Sequence, residues 1–132
     1  MDSIRADFAA GCCSEADTAA MIASVRDESD YLIDTHTAVG LRVLRDFRAA
    51  GGQTVPAVSL STASPFKFCG AVLKALGAAG EGDGAALVDE LRECSGVTAP
   101  ANLCGLNRRE IRFPSWVEVA DMPAAVDRFL SE

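Results

Sequence analysis

Apolar residues recur at helical spacing along most of this chain and run together without a break in one place. In "SEADTAAMIASVRDES", Ser14 stands at a helix start with Asp17 three residues later, the spacing of a capping box. Thr18, Ile22 and Val25 then share one face. Residues 3–10 read as a short helix stopped by Gly11. "THTAVGLRVLRDFRAAGG" predicts a helix from about Thr37 to Ala50, with Val39, Val43 and Phe47 in one stripe, Leu44 beside it and Gly51-Gly52 as the stop. Ser64 as cap and Pro65 at the first position open another helix, buried through Phe68, Cys69, Val72, Leu73 and Leu76 and ended by Gly77. "GAALVDELRECSG" buries Leu87, Val88 and Leu91, and "DMPAAVDRFLSE" closes the chain with Asp121 as cap. "GAAGEGDG" reads as a flexible glycine-rich tip and "VTAPANLCGLNRREIRF" as irregular.

The unbroken run is "VPAVSL", residues 55–60. It is short and apolar on both faces, as a buried parallel strand is. "YLID" (Tyr31 to Asp34) is a strand stub or an extended connection, and "WVEV" is a weaker strand candidate. The expected fold class is therefore α/β: helix-rich, with few (one to three) parallel-type strands. So few strands make no sheet worth covering on two faces. The expectation that follows is a chain that forms part of something larger.

Bulk properties narrow the partners. The 132 residues amount to one domain's length, and 49% hydrophobic with 23% charged residues is ordinary for a globular protein. A net charge of −7 argues against nucleic acid or an anionic membrane, both of which call for a basic surface. No apolar run approaches the about 20 residues of a spanning helix, and "MDSIRADF" has no signal-peptide pattern. A cytoplasmic location is expected. The five cysteines (Cys12, Cys13, Cys69, Cys94, Cys104) form no CxxC pair, so paired-ligand zinc sites are not supported and reduced thiols packed as small apolar residues are expected. A redox role for adjacent Cys12 and Cys13 lacks any context that lowers a thiol's pKa.

Two stretches could carry chemistry. In "LSTASPFKF" the hydroxyls of Ser61, Thr62 and Ser64 lie where the expected strand meets the expected helix. Ligands bind at such junctions, and a helix start favours anions. Lys67 puts a positive charge in the first turn, against the dipole preference there. The competing reading is that Ser64 only caps a helix and Thr62 only fills a strand. In "DTHTAVG", Asp34 and His36 could form a pH-tuned pair or a hydrogen-bonded turn at a helix start. Both readings stand for each stretch.

In this order and spacing the two stretches resemble the threonine synthase family, pyridoxal phosphate enzymes of the tryptophan synthase β-like fold (fold type II). The family's C-terminal part carries a motif close to "DPHTAVG", then "ATAHPAKF" or "STASPAKF". Here they stand as "DTHTAVG" and "LSTASPFKF", preceded by "FAAGCCSEADTAAMIASVRDESDYLID", where the family has a Ser-acidic helix and a "YLLDPHTA"-like turn. The resemblance covers roughly residues 5 to 76. Thr35 replaces the usual proline and Phe66 a small residue. It implies an enzyme that converts O-phospho-L-homoserine and water to L-threonine and phosphate. The Schiff-base lysine of such an enzyme lies in its N-terminal half, and neither Lys67 nor Lys74 stands in that lysine's context.

The division implied is residues 1–76 as the C-terminal part of the cofactor-binding region and 77–132 as tail helices. The N-terminal catalytic part, absent from this chain, would be its partner. Thr62 is implied to face the cofactor's pyridine nitrogen, and Ser61, Ser64, Lys67, His36 and Asp34 to lie near the substrate or the active site. Alone the chain is expected to be inactive and open to self-association. The alternative is a stand-alone small α/β anion-binding or structural module.

Overall fold

A computed structural model of the chain describes Ile4 and residues 7–51, 55–112 and 114–131. From Glu15 onward the described residues form, in order, the α-helices α1 (Glu15–Ser29), α2 (Thr35–Ala49), α3 (Cys69–Ala75), α4 (Gly84–Ser95) and α5 (Met122–Ser131). Single 3-10 turns lie at Pro65–Lys67, Leu106–Arg108 and Val119–Asp121. The described residues contain no strand, so the expected α/β class is overturned: the fold is all-helical. The helix expected over 3–10 and the stop at Gly52 fall wholly or partly outside the described residues.

Local sequence accounts for the helices. Ser14 and Asp17 form the capping box foreseen for α1, with the Asp17 amide donating to Ser14 Oγ at 3.1 Å. α2 begins two residues earlier than expected. Asp34, and not Thr37, is its cap: the His36 amide donates to Asp34 Oδ1 at 2.8 Å. Asp83 caps α4, whose end is Gly96 at φ 69°. The helix expected from Pro65 is two pieces. Ser64 caps one 3-10 turn, Phe68 breaks the run at φ −129° and ψ 39°, and α3 follows with no side-chain cap. Asp121 ends the turn that leads into α5 and does not cap it.

The core lies where α1, α3 and α4 meet. It joins Met21 and Ile22 of α1 to Val72 and Leu73 of α3 and to Leu87, Val88 and Leu91 of α4. Leu32 and Ile33 enter from the α1–α2 connection and Phe66 from the 3-10 turn. "YLID" is thus a connection, buried on its last three residues. Arg26 joins two helix ends by donating to the Ser95 carbonyl at 2.7 Å, a cation on the last carbonyls of α4. The α2 stripe is less buried than its pattern implies: Val39 and Val43 are half-buried and Phe47 is exposed. Its fully buried positions are Thr37 and Ala38.

The glycine-rich stretch is not an open tip. A Cβ at Gly80 would sit 2.4 Å from the Gly70 carbonyl oxygen, so loop and helix backbones cross where only glycine fits. The run 55–60 forms no helix or strand and is exposed throughout. A segment apolar on both faces needs neighbours on both sides to pair as a strand, and the described residues supply none. "WVEV" is exposed as well, and α5 buries no residue.

Candidate functional site

The two stretches singled out in the sequence meet around the first turn of α2. Asp34 is fully buried. Its Oδ1 accepts from the amides of His36 at 2.8 Å and Thr37 at 3.4 Å, and its Oδ2 accepts from the Thr37 hydroxyl. Burial pushes the Asp34 carboxyl up. The bonds from the Thr37 hydroxyl, the two amides and the His36 ring outweigh it, so the carboxyl is held below the usual aspartate range. Among the described residues no buried side-chain nitrogen or oxygen lacks a partner.

The Thr37 hydroxyl is the hinge between the stretches. Its oxygen lies 3.2 Å from Ser61 Oγ, across 24 residues of chain. A hydroxyl has one proton, and Asp34 takes that of Thr37, so Ser61 donates in this pair. His36 Nδ1 stands 3.2 Å from Asp34 Oδ1 and 3.5 Å from Thr35 Oγ1. The ring packs against Phe68 at 4.9 Å between centroids, tilted by 55°. His36 and Phe68 share a cleft of about 340 Å³ with Glu15, Thr18 and Thr35. Thr35, where the family motif has proline, therefore adds a hydroxyl beside the histidine.

The remaining residues are placed less tightly. Ser64 is half-buried and spends its hydroxyl on the Phe66 amide at 3.3 Å. Thr62 and Lys67 are exposed, and their side chains make no hydrogen bond or ion pair with the described residues. A helix-start anion site at Ser64 loses its physical basis, because the turn that Ser64 caps is three residues long and ends at Phe68. The sequence reading missed Thr37, whose signal was its place three residues after a capping aspartate.

A threonine synthase C-terminal profile ("Threonine synthase, C-terminal") matches residues 37–126, which take in the Thr37–Ser61 pair. The chain belongs to this threonine synthase family. Threonine synthase of Corynebacterium glutamicum is 42% identical over 72 residues, 54% of this chain and 15% of that protein. Threonine synthase of Pseudomonas aeruginosa is 39% identical over 99 residues, 75% of this chain and 17% of that protein. Human threonine synthase-like 1 is 37% identical over 76 residues, 58% of this chain and 10% of that protein. The matches thus span under a fifth of these relatives' own lengths. No helix among the described residues is long and apolar enough to cross a membrane, and none of them form a group of three or more metal-binding side chains.

The residues present fit one contact of a pyridoxal phosphate and not a whole site. Thr62 is exposed, so its neutral hydroxyl is open to an outside partner. The glycine-rich loop is no cradle for the phosphate, because Gly80 is taken up by its crossing with Gly70. Lys67 and Lys74 are both exposed.

Proposed function

We propose that this chain serves as the C-terminal part of a threonine synthase acting on O-phospho-L-homoserine and water to give L-threonine and phosphate. The observation that carries the reading is the convergence of "DTHTAVG" and "LSTASPFKF" through Thr37 and Ser61, inside the stretch matched by the family profile. The partner is the N-terminal part of the enzyme, which holds the catalytic lysine and the phosphate site; the chain alone is inactive. Residues 1–76 belong to the cofactor-binding region and 77–132 to the tail.

When bound, pyridoxal phosphate supplies an electron sink for carbanions. This chain's own contribution is to hold and orient. Thr62 presents its hydroxyl to the ring nitrogen and leaves that nitrogen largely without a proton. Ser61, bonded to Thr37, fixes the main chain beside Thr62. Asp34 anchors the turn from which His36 faces the active-site rim. Lys67 stands toward the substrate phosphate, where a mobile ammonium acts as a point charge, and Ser64 caps the turn that carries it.

A chimera tests this: the Corynebacterium threonine synthase with this chain in place of its matching C-terminal part. The chimera is expected to bind pyridoxal phosphate, seen by absorbance, and to release phosphate from O-phospho-L-homoserine, while the 132-residue chain alone does neither. A chimera that binds the cofactor and releases no phosphate contradicts the reading.

A further inference from the structure

A cavity of about 300 Å³ lies between the first two turns of α1, the start of α2 and α3. It adjoins the His36 cleft, with which it shares Glu15, Thr18, Thr35 and Ala71. Its lining is largely apolar: Ile22 is buried, and Ala16, Ala19 and Ala71 are small enough to leave the space open. Two opposite charges, Glu15 and Lys74, open onto it. Neither makes an ion pair with the other or with any described residue, whereas Asp17, Glu28 and Asp30 nearby in the chain each pair with an arginine. Each charge suits its helix dipole, Glu15 in the first turn of α1 and Lys74 in the last turn of α3. The dipoles do not account for both charges lining one apolar space. The Lys74 stem is packed over the loop crossing, since a Cβ at Gly80 would come within 3.1 Å of its Cγ.

One hydroxyl proton on the wall is also unspent. The Thr18 hydroxyl donates to the Ser14 carbonyl at 2.9 Å. Thr35 Oγ1 lies 3.5 Å from His36 Nδ1, but that nitrogen faces Asp34 Oδ1 and so carries the proton. It offers Thr35 no lone pair, and the Thr35 proton is left for another acceptor.

We propose that this cavity binds a short hydroxylated α-amino acid. Glu15 takes the ammonium, Lys74 the carboxylate and Thr35 the side-chain hydroxyl, while Ile22 and the alanines pack the carbon atoms between them. A zwitterion answers both unpaired charges at once; a simple anion or cation leaves one of them unmatched. The volume is at the low end of the about 300–1,000 Å³ of ligand pockets, which suits a molecule of this size. Thr35 stands where the family motif has proline, which has no hydroxyl, so the side-chain preference belongs to this chain. The site uses none of the residues assigned to the cofactor or the substrate phosphate and goes beyond the functional reading above.

Isothermal titration calorimetry of the 132-residue chain with L-serine tests the proposal, with L-alanine, acetate and ethylammonium as comparisons. Saturable one-to-one binding of L-serine is expected, about fivefold tighter than that of L-alanine, the scale of one hydrogen bond. Acetate and ethylammonium are expected to give no binding at concentrations that saturate L-serine. E15Q and K74M keep the length of each side chain and remove its charge. Both positions are exposed, so an unchanged circular dichroism spectrum is expected, with L-serine bound about fivefold or more weakly in each. Thr35→Val is expected to remove the preference for L-serine and leave the affinity for L-alanine unchanged. No saturable binding of L-serine overturns the proposal, as does acetate or ethylammonium binding as tightly. An L-serine affinity unchanged in both charge variants places the ligand elsewhere and overturns it too. Equal affinities for L-serine and L-alanine in the unaltered chain overturn the choice of a hydroxylated ligand.

Discussion

The two halves of the candidate site differ in how far this chain completes them. Around Asp34 the carboxylate and the Thr37 hydroxyl are buried and bonded, and the turn is tied into the core through Leu32 and Ile33. Around Thr62 the hydroxyl is exposed, the main chain is unpaired and the neighbouring Val58 and Leu60 face outward. The first half is a structural unit that this chain stabilises by itself. The second is tied to the first through Thr37 and Ser61 and is otherwise open to solvent. A substitution in the first half should therefore be felt in stability, and one in the second only when a partner is present.

Asp34→Ala breaks the comparison hardest. It removes the cap of α2 and leaves the Thr37 hydroxyl and two amides without their acceptor. The chain is expected to lose about 2–4 kcal/mol in urea unfolding. A loss under about 0.5 kcal/mol would mean that the turn is not held by Asp34. Thr37→Val keeps the shape and removes the hydroxyl from a buried carboxylate. About 1–2 kcal/mol is expected to go, by the same measurement.

The acid limb of the stability curve sharpens the comparison. Asp34 has a folded pKa below its unfolded value of about 3.9. Its contribution is present above that unfolded value and is lost as the pH falls through the folded one. Asp17 and Glu28 are also held low, by the Ser14 and Ser24 hydroxyls and by arginines of α2, so they add to the same limb. Asp34→Asn, which still caps but does not titrate there, is expected to flatten the loss of stability below about pH 4 without abolishing it. An unchanged slope in acid-unfolding titrations would remove Asp34 from the account. The smallest effect belongs to the open half: Thr62→Val in the chain alone is expected to shift stability by no more than about 0.5 kcal/mol.

Legibility in the sequence divides along the same line. The Ser14 box and the apolar faces of α1, α3 and α4 were readable because they are local patterns satisfied within one helix or by the core. The run 55–60 was misread as a strand because an apolar composition alone does not make one: pairing depends on neighbouring strands, and the described residues contain none. Gly80 was misread as part of a free tip because nothing local reveals that it crosses Gly70. For the site, "DTHTAVG" and "LSTASPFKF" were both picked out. Their contact through Thr37 was not, since a bond across 24 residues leaves no trace in either segment alone.

The most direct test of the central claim is Thr62→Val measured twice. For the chain alone an unchanged melting temperature is expected. In the chimera the kcat for phosphate release is expected to fall by about tenfold, the scale of one lost hydrogen bond. An unchanged kcat and cofactor affinity in the variant chimera would contradict that claim, since the open half of the site would then hold nothing through Thr62.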